Sequence, residues 1–249
     1  MYFYDNFLKD RKYTSLMKTI EARLTDFGIS GKVLRLQQFI NPLQIIEEEK
    51  IKGAKTIVVV GDDNTLGYVL AHAALCGLPF GYIPVRGPSE IADTLGIPVG
   101  EEACDVLSRR RKVKIDVGKV HGTGQLFVSE LQVDPAYATV VCDRKFKMTG
   151  STAPLSIGIY NLQPHDDLPI TPQDRKLSVV IRPQARKKRF SRKKIEQADE
   201  TIVPFDELII SSKRPLSVRA DGTVVSKKEV IITLSSEQVE LIVGAERQF

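Results

Sequence analysis

Apolar and polar positions follow one rule up to about residue 111 and another after it. In the first stretch, short apolar runs alternate with apolar positions spaced three and four apart. Residues 2–4, 32–36, 57–60 and 80–84 read as strands; the run of 57–60 is β-branched, breaks at Gly61, and predicts a buried strand. Leu16, Met17, Ile20 and Leu24 fall near one face and Lys18, Glu21 and Arg23 on the other, which predicts a helix over 9–27 that Gly28 closes. Further helices are predicted over 43–52, from about residue 63 to Gly77 through Leu66, Val69, Leu70, Ala73 and Ala74, over 91–95, and over 101–110. Strands alternating with helices imply a parallel sheet with right-handed crossovers.

From residue 112 the period changes to two. Val113, Ile115 and Val117 alternate with charged or polar neighbours over 112–119, as in a half-solvated antiparallel strand. Strand patterns then recur at 125–133, 137–142, 145–149, 155–160, 177–181, 200–210, 216–220, 229–234 and 239–243, punctuated by Gly, Pro, Asp and Ser. The expected fold class is α/β: an open parallel-sheet nucleotide-binding domain over 1–111, then an antiparallel β-sandwich domain over 112–249.

Two successive loops at the carboxyl ends of neighbouring parallel strands line one crevice, the usual nucleotide site of an open α/β sheet. Here they are Gly61-Asp62-Asp63-Asn64-Thr65-Leu66, in which Asp63, Asn64 and Thr65 are all able to cap a helix, and Pro84-Val85-Arg86-Gly87-Pro88-Ser89-Glu90. Ala92, Leu95, Gly96, Ile97 and Pro98 follow. In spacing and flanks this stretch resembles the lipid kinases related to diacylglycerol kinase and sphingosine kinase, and more distantly the NAD kinases. Those have Gly-Gly-Asp-Gly-Thr-Leu after one strand and Gly-Thr-Gly-Asn-Asp after the next. The resemblance extends to Lys114-Ile115-Asp116-Val117-Gly118 with Phe127, and to the late Asp221-Gly222 turn.

The resemblance implies ATP-dependent phosphoryl transfer, with Mg²⁺, to a hydroxyl of a diacylglycerol-like lipid at an interdomain cleft. It assigns Asp63 to catalysis and to the cation; Asp62 beside it offers a second hard oxygen ligand for the metal, and Gly61, Asp62, Asn64, Thr65, Arg86, Gly87 and Ser89 are the expected nucleotide contacts. Asp62, Asn64 and Arg86 stand where the family has glycines, Pro88 removes an amide donor, and Thr223 replaces a second catalytic carboxylate. A carboxylate ~4 Å from a phosphate costs ~4 kcal/mol at an effective dielectric near 20 unless a cation lies between them. Asp62 therefore points to an altered metal site or to no phosphate there, while the Arg86 guanidinium is able to hold a phosphate by itself. The alternative is a non-catalytic descendant that keeps the fold as a nucleotide-, lipid- or partner-binding module. An NAD-kinase-like enzyme is a third reading, and the Leu95-Gly96-Ile97-Pro98 continuation speaks against it.

Composition narrows little except in one place. With 42% apolar and 27% charged residues the chain is an ordinary globular protein. It has no apolar run long enough to span a membrane and no signal-peptide core in MYFYDNFLKDRK, so the default location is the cytoplasm. Cys76, Cys104 and Cys142, like His72, His121 and His165, are too scattered in sequence to suggest a metal site, a dithiol or a triad. The net charge of +5 is concentrated: residues 182–194 hold eight basic side chains and no acidic one, leaving the rest of the chain at −3. Arg186, Lys187, Lys188, Arg189, Phe190, Arg192, Lys193 and Lys194 are either a solvated loop or a contact to an anionic membrane surface, which suits a lipid kinase. There is no RNA-binding signature around them.

Overall fold

The computed structural model describes residues 1–36, 41–184 and 200–249. The basic stretch 186–194 therefore lies outside the described residues. In chain order come β1 (Tyr2–Tyr4), α1 (Thr14–Asp26), β2 (Val33–Arg35), α2 (Pro42–Ile51), β3 (Ile57–Gly61), α3 (Asp63–Ala73), β4 (Phe80–Pro84), α4 (Glu90–Leu95), α5 (Ala103–Arg109) and β5 (Lys112–Ile115). Strands then follow one another: β6 (Gly118–Val120), β7 (Gln125–Phe127), β8 (Glu130–Ala136), β9 (Ala138–Cys142), β10 (Phe146–Thr149), β11 (Leu155–Tyr160), β12 (Leu177–Pro183), β13 (Thr201–Phe205), β14 (Glu207–Ala220), β15 (Thr223–Leu234) and β16 (Val239–Ile242).

Two sheets organise these elements, as the change of period predicts. The first has the order β2-β1-β3-β4-β16-β5; its first four strands are parallel, and β3 and β4 are buried along their whole length. The second is antiparallel, contains ten described strands, and buries alternate residues of nine of them in one core. Its longest strand, β14, pairs β9 through residues 208–212 and β8 through 218–220, with a register shift between Ser211 and Leu216. Among the described residues no helix is long and apolar enough to cross a membrane.

Several local expectations are corrected. The helix expected from residue 9 begins at Thr14, because the Asp5 and Asp10 side chains accept the amides of Phe7 and Lys12 and cap two short 3-10 turns first. The strand expected over 112–119 is two strands in different sheets. Asp116, fully buried between them, is pinned by the Arg175 guanidinium at 2.8 Å, the Arg175 amide at 2.8 Å and Gln238 at 2.9 Å. The strand expected over 125–133 breaks at 128–129, where the amides turn to the Asp221 carboxylate instead of a ladder. Residues 239–242, read as the last strand of the sandwich, insert into the first sheet, parallel to β4 and antiparallel to β5. Pairing of this kind is non-local, and an apolar run does not encode which edge it will find.

Candidate active site

The loop after β3 is shaped by its acids. Asp62 is the N-cap of α3: its Oδ1 accepts the Thr65 amide at 3.1 Å and lies 3.0 Å from the Thr65 hydroxyl. The cap is thus one residue earlier than the three candidates read from the sequence. Gly61 is what lets Thr65 turn inward, since a Cβ there would sit 2.8 Å from the Thr65 hydroxyl. That hydroxyl also donates to Asp5, at the carboxyl end of β1. Asn64 is exposed on the outer side of the same turn.

Asp63, the first helical residue, points elsewhere. Its Oδ1 accepts the Tyr82 hydroxyl at 2.9 Å and the Ser89 hydroxyl, and its Oδ2 lies 3.4 Å from the Ile91 amide. Tyr82 belongs to β4, and Ser89 is the N-cap of α4, accepting the Ala92 amide at 3.0 Å. One carboxylate therefore clasps the loop after β3 to the loop after β4. Burial, and then the charge of Asp63, push the Tyr82 phenol far above its usual range, so it remains a donor to that carboxylate.

Arg86 closes the other side. Its guanidinium stacks 3.6 Å over the Phe7 ring, donates to the Tyr13 hydroxyl at 2.8 Å, and reaches Asp62 at 3.5 Å with its side chain 45% exposed. The hydrogen bond to Tyr13 raises its already high pKa, so the positive charge is permanent. Gly87 is exposed, and a Cβ there would meet only Val99, at 3.6 Å; packing does not require the glycine. Gly61, Asp62, Thr65 and Arg86 thus gather on one side of the loop, Ser89 meets Asp63 on the other, and Asn64 and Gly87 lie exposed on the rim.

The two aspartates expected to share a metal hold different partners. Instead, Asp5 and Asp62 both lie within hydrogen-bond range of the Thr65 hydroxyl, which has a single proton to give. Asp5 and Asp62 thus meet at one hydroxyl, with the Arg86 guanidinium 3.5 Å from Asp62, and offer a pair of hard oxygen ligands. That is the chemistry a Mg²⁺ ion satisfies, and the residues present fit it.

The Asp221-Gly222 turn joins β14 to β15 with both residues at positive φ, +44° and +82°, as a two-residue hairpin requires. It packs on α3, where a Cβ on Gly67 would stand 3.0 Å from the Asp221 carbonyl oxygen. The Asp221 carboxylate is buried and accepts the amides of Val128 (2.6 Å), Ser129 (3.0 Å) and Glu130 (2.9 Å). The threonine after this turn, Thr223, has its hydroxyl buried without a hydrogen-bond partner among the described residues. Sequence reasoning missed Tyr82 and Asp5 as site residues. A tyrosine inside an otherwise apolar buried strand must find a partner for its hydroxyl, and that was the available signal.

The fold and these loops are consistent with a lipid kinase-like protein. Residues 3–120 match the diacylglycerol kinase catalytic domain. The whole fold matches a solved diacylglycerol kinase from Bacillus anthracis str. Sterne at 15% identity, over 99% of this chain and 97% of that one, with a TM-score of 0.76. Two further structures assigned to diacylglycerol kinase in the same organism match at 14% identity, over 99% of this chain and 97% of theirs, with TM-scores of 0.78. At such identities the structural matches carry the fold alone. No curated protein matches the sequence significantly. Over residues 3–120 the chain is thus similar to the diacylglycerol kinase catalytic domain, the family its loop motifs resemble.

Proposed function

We propose that the chain is an ATP-dependent lipid kinase that transfers the γ-phosphate to a hydroxyl of a diacylglycerol-like lipid in the cleft between its two sheets, in the cytoplasm. The observation that supports this is the contact of Asp63 with Ser89 and Ile91, which ties the turn after β3 to the turn after β4, the two turns expected to flank a nucleotide in an open α/β sheet. Asp5 and Asp62 would hold Mg²⁺, which when bound offsets the charge of the phosphates. Arg86, partly exposed at the rim and braced by Phe7 and Tyr13, would hold phosphate through its guanidinium where the family uses backbone amides. Asp63 Oδ2, with one long amide contact, is the oxygen left to orient and deprotonate the acceptor hydroxyl, while Tyr82 and Ser89 fix Oδ1.

A second reading has a specific observation behind it. Asp62 takes the helix amide that a phosphate would use, and Arg86 leans on Asp62, so part of the anion-binding capacity of the loop is met internally. On that reading the chain is a binding module in the kinase fold. Incubation with labelled ATP, Mg²⁺ and vesicles containing diacylglycerol or other hydroxylated lipids separates the two. The kinase reading expects label in a lipid product and a loss of at least about 100-fold in Asp63→Asn, as for removal of a general base. Absence of transfer to any lipid, or transfer that Asp63→Asn leaves intact, rejects it.

A further inference from the structure

Away from the nucleotide loops, the connection between β11 and β12 brings His165 and Asp167 to Glu200, just before β13. One donor atom from each lies within 4.8 Å of the other two. The Glu200 side chain is nine-tenths buried, with 10% exposed. Its Oε1 takes the Arg182 guanidinium, whereas its Oε2 has no hydrogen-bond partner among the described residues and faces His165 Nε2 at 3.7 Å. The imidazole is held in place by stacking on Tyr160, with ring centroids 4.4 Å apart. The Asp167 amide donates to Nδ1 in a long hydrogen bond of 3.4 Å. Among the described residues, Glu130 and Asp166 line the adjoining cavity beside Arg182.

We propose that His165, Asp167 and Glu200 form a divalent-cation site, separate from the Mg²⁺ site proposed at the nucleotide loops. One imidazole nitrogen and two carboxylates suit Zn²⁺ or Mn²⁺ rather than Mg²⁺, which takes oxygen donors. Donors around a tetrahedral Zn²⁺ stand about 3.4 Å apart, so the three groups close by roughly 1 Å, a movement the exposed Asp167 side chain supplies. The role is structural. The connection that carries His165 also sends Gln163 to the Glu90 carboxylate at the start of α4, next to the Ser89 that holds Asp63. A cation tying this connection to Glu200 fixes that bridge.

The test is titration of the chelator-treated full chain with Zn²⁺, read by calorimetry and thermal melting, and with Co²⁺, read by its d–d absorption. One ion per chain is expected, with a higher Tm and a cobalt spectrum free of thiolate bands. At least a tenfold loss of affinity is expected in His165→Ala and, on an exposed side chain that folding does not depend on, in Asp167→Asn. Asp63→Asn should bind Zn²⁺ as the wild type does, which separates failure here from failure of the kinase reading. No Tm change with Zn²⁺, a thiolate band, or equal affinity in both loop variants would overturn the proposal.

Discussion

At Asp221 three backbone N–H groups converge on one buried carboxylate, and burial still pushes that carboxyl up to about 7 against their pull. The folded chain thus binds this proton more tightly than the unfolded chain, where an aspartate titrates near 3.9. For an acid shifted upward the stability due to protonation is full below about pH 4 and is lost as the pH rises through about 7. Chemical denaturation between these limits should show stability falling with pH, with a flatter slope in Asp221→Asn. Asp221→Ala leaves three buried donors without an acceptor and should cost about 3–5 kcal/mol in the same measurement at neutral pH. A wild-type slope that Asp221→Asn retains would assign the dependence to another group. The neighbouring pair Asp62 and Asp63 shows a limit of reading residues from sequence. They are chemically identical, yet the cap position sends one back to Thr65 and the first helical position sends the other across to Tyr82 and Ser89.

Among elements, α3 is the hinge between the two sheets' chemistry: its N-terminus carries the aspartates, and one turn later Gly67 receives the hairpin turn of Asp221. Gly67→Val places a β-branched side chain where a Cβ already stands 3.0 Å from backbone, and backbone cannot rotate away. It should lower stability by about 1–3 kcal/mol, seen as a lower Tm, through misfit where α3 meets the hairpin. An unchanged melt would mean that the turn gives way easily. Elements with a strong local period were legible: β3, β4, α3 and β11 lie within a few residues of their sequence-based bounds. Those that failed were decided by distant partners. The break at Asp116 depends on Arg175, that at 128–129 on Asp221, and the destination of β16 on β4. None of these partners is visible from a window of neighbouring residues.

For the whole molecule, the chain leaves the first sheet after β5, builds the second sheet, and returns to place β16 between β4 and β5. The first sheet is therefore completed by the last strand, and the loops after β3 and β4 rest on a sheet closed from both ends of the sequence. The two-sheet architecture was legible from the change of period, and the pairing of the loops from their strand-helix order. The internal satisfaction of Asp62 by Thr65 and Arg86 was not, because it depends on side-chain direction at a cap. The proposed function requires that a magnesium-bound triphosphate sit between these two turns, and calorimetric titration of the full chain with ATP reads this without a lipid acceptor. The expected result is binding that requires Mg²⁺ and weakens at least tenfold in Arg86→Ala; no binding in either condition, or binding indifferent to both Mg²⁺ and Arg86→Ala, would contradict it.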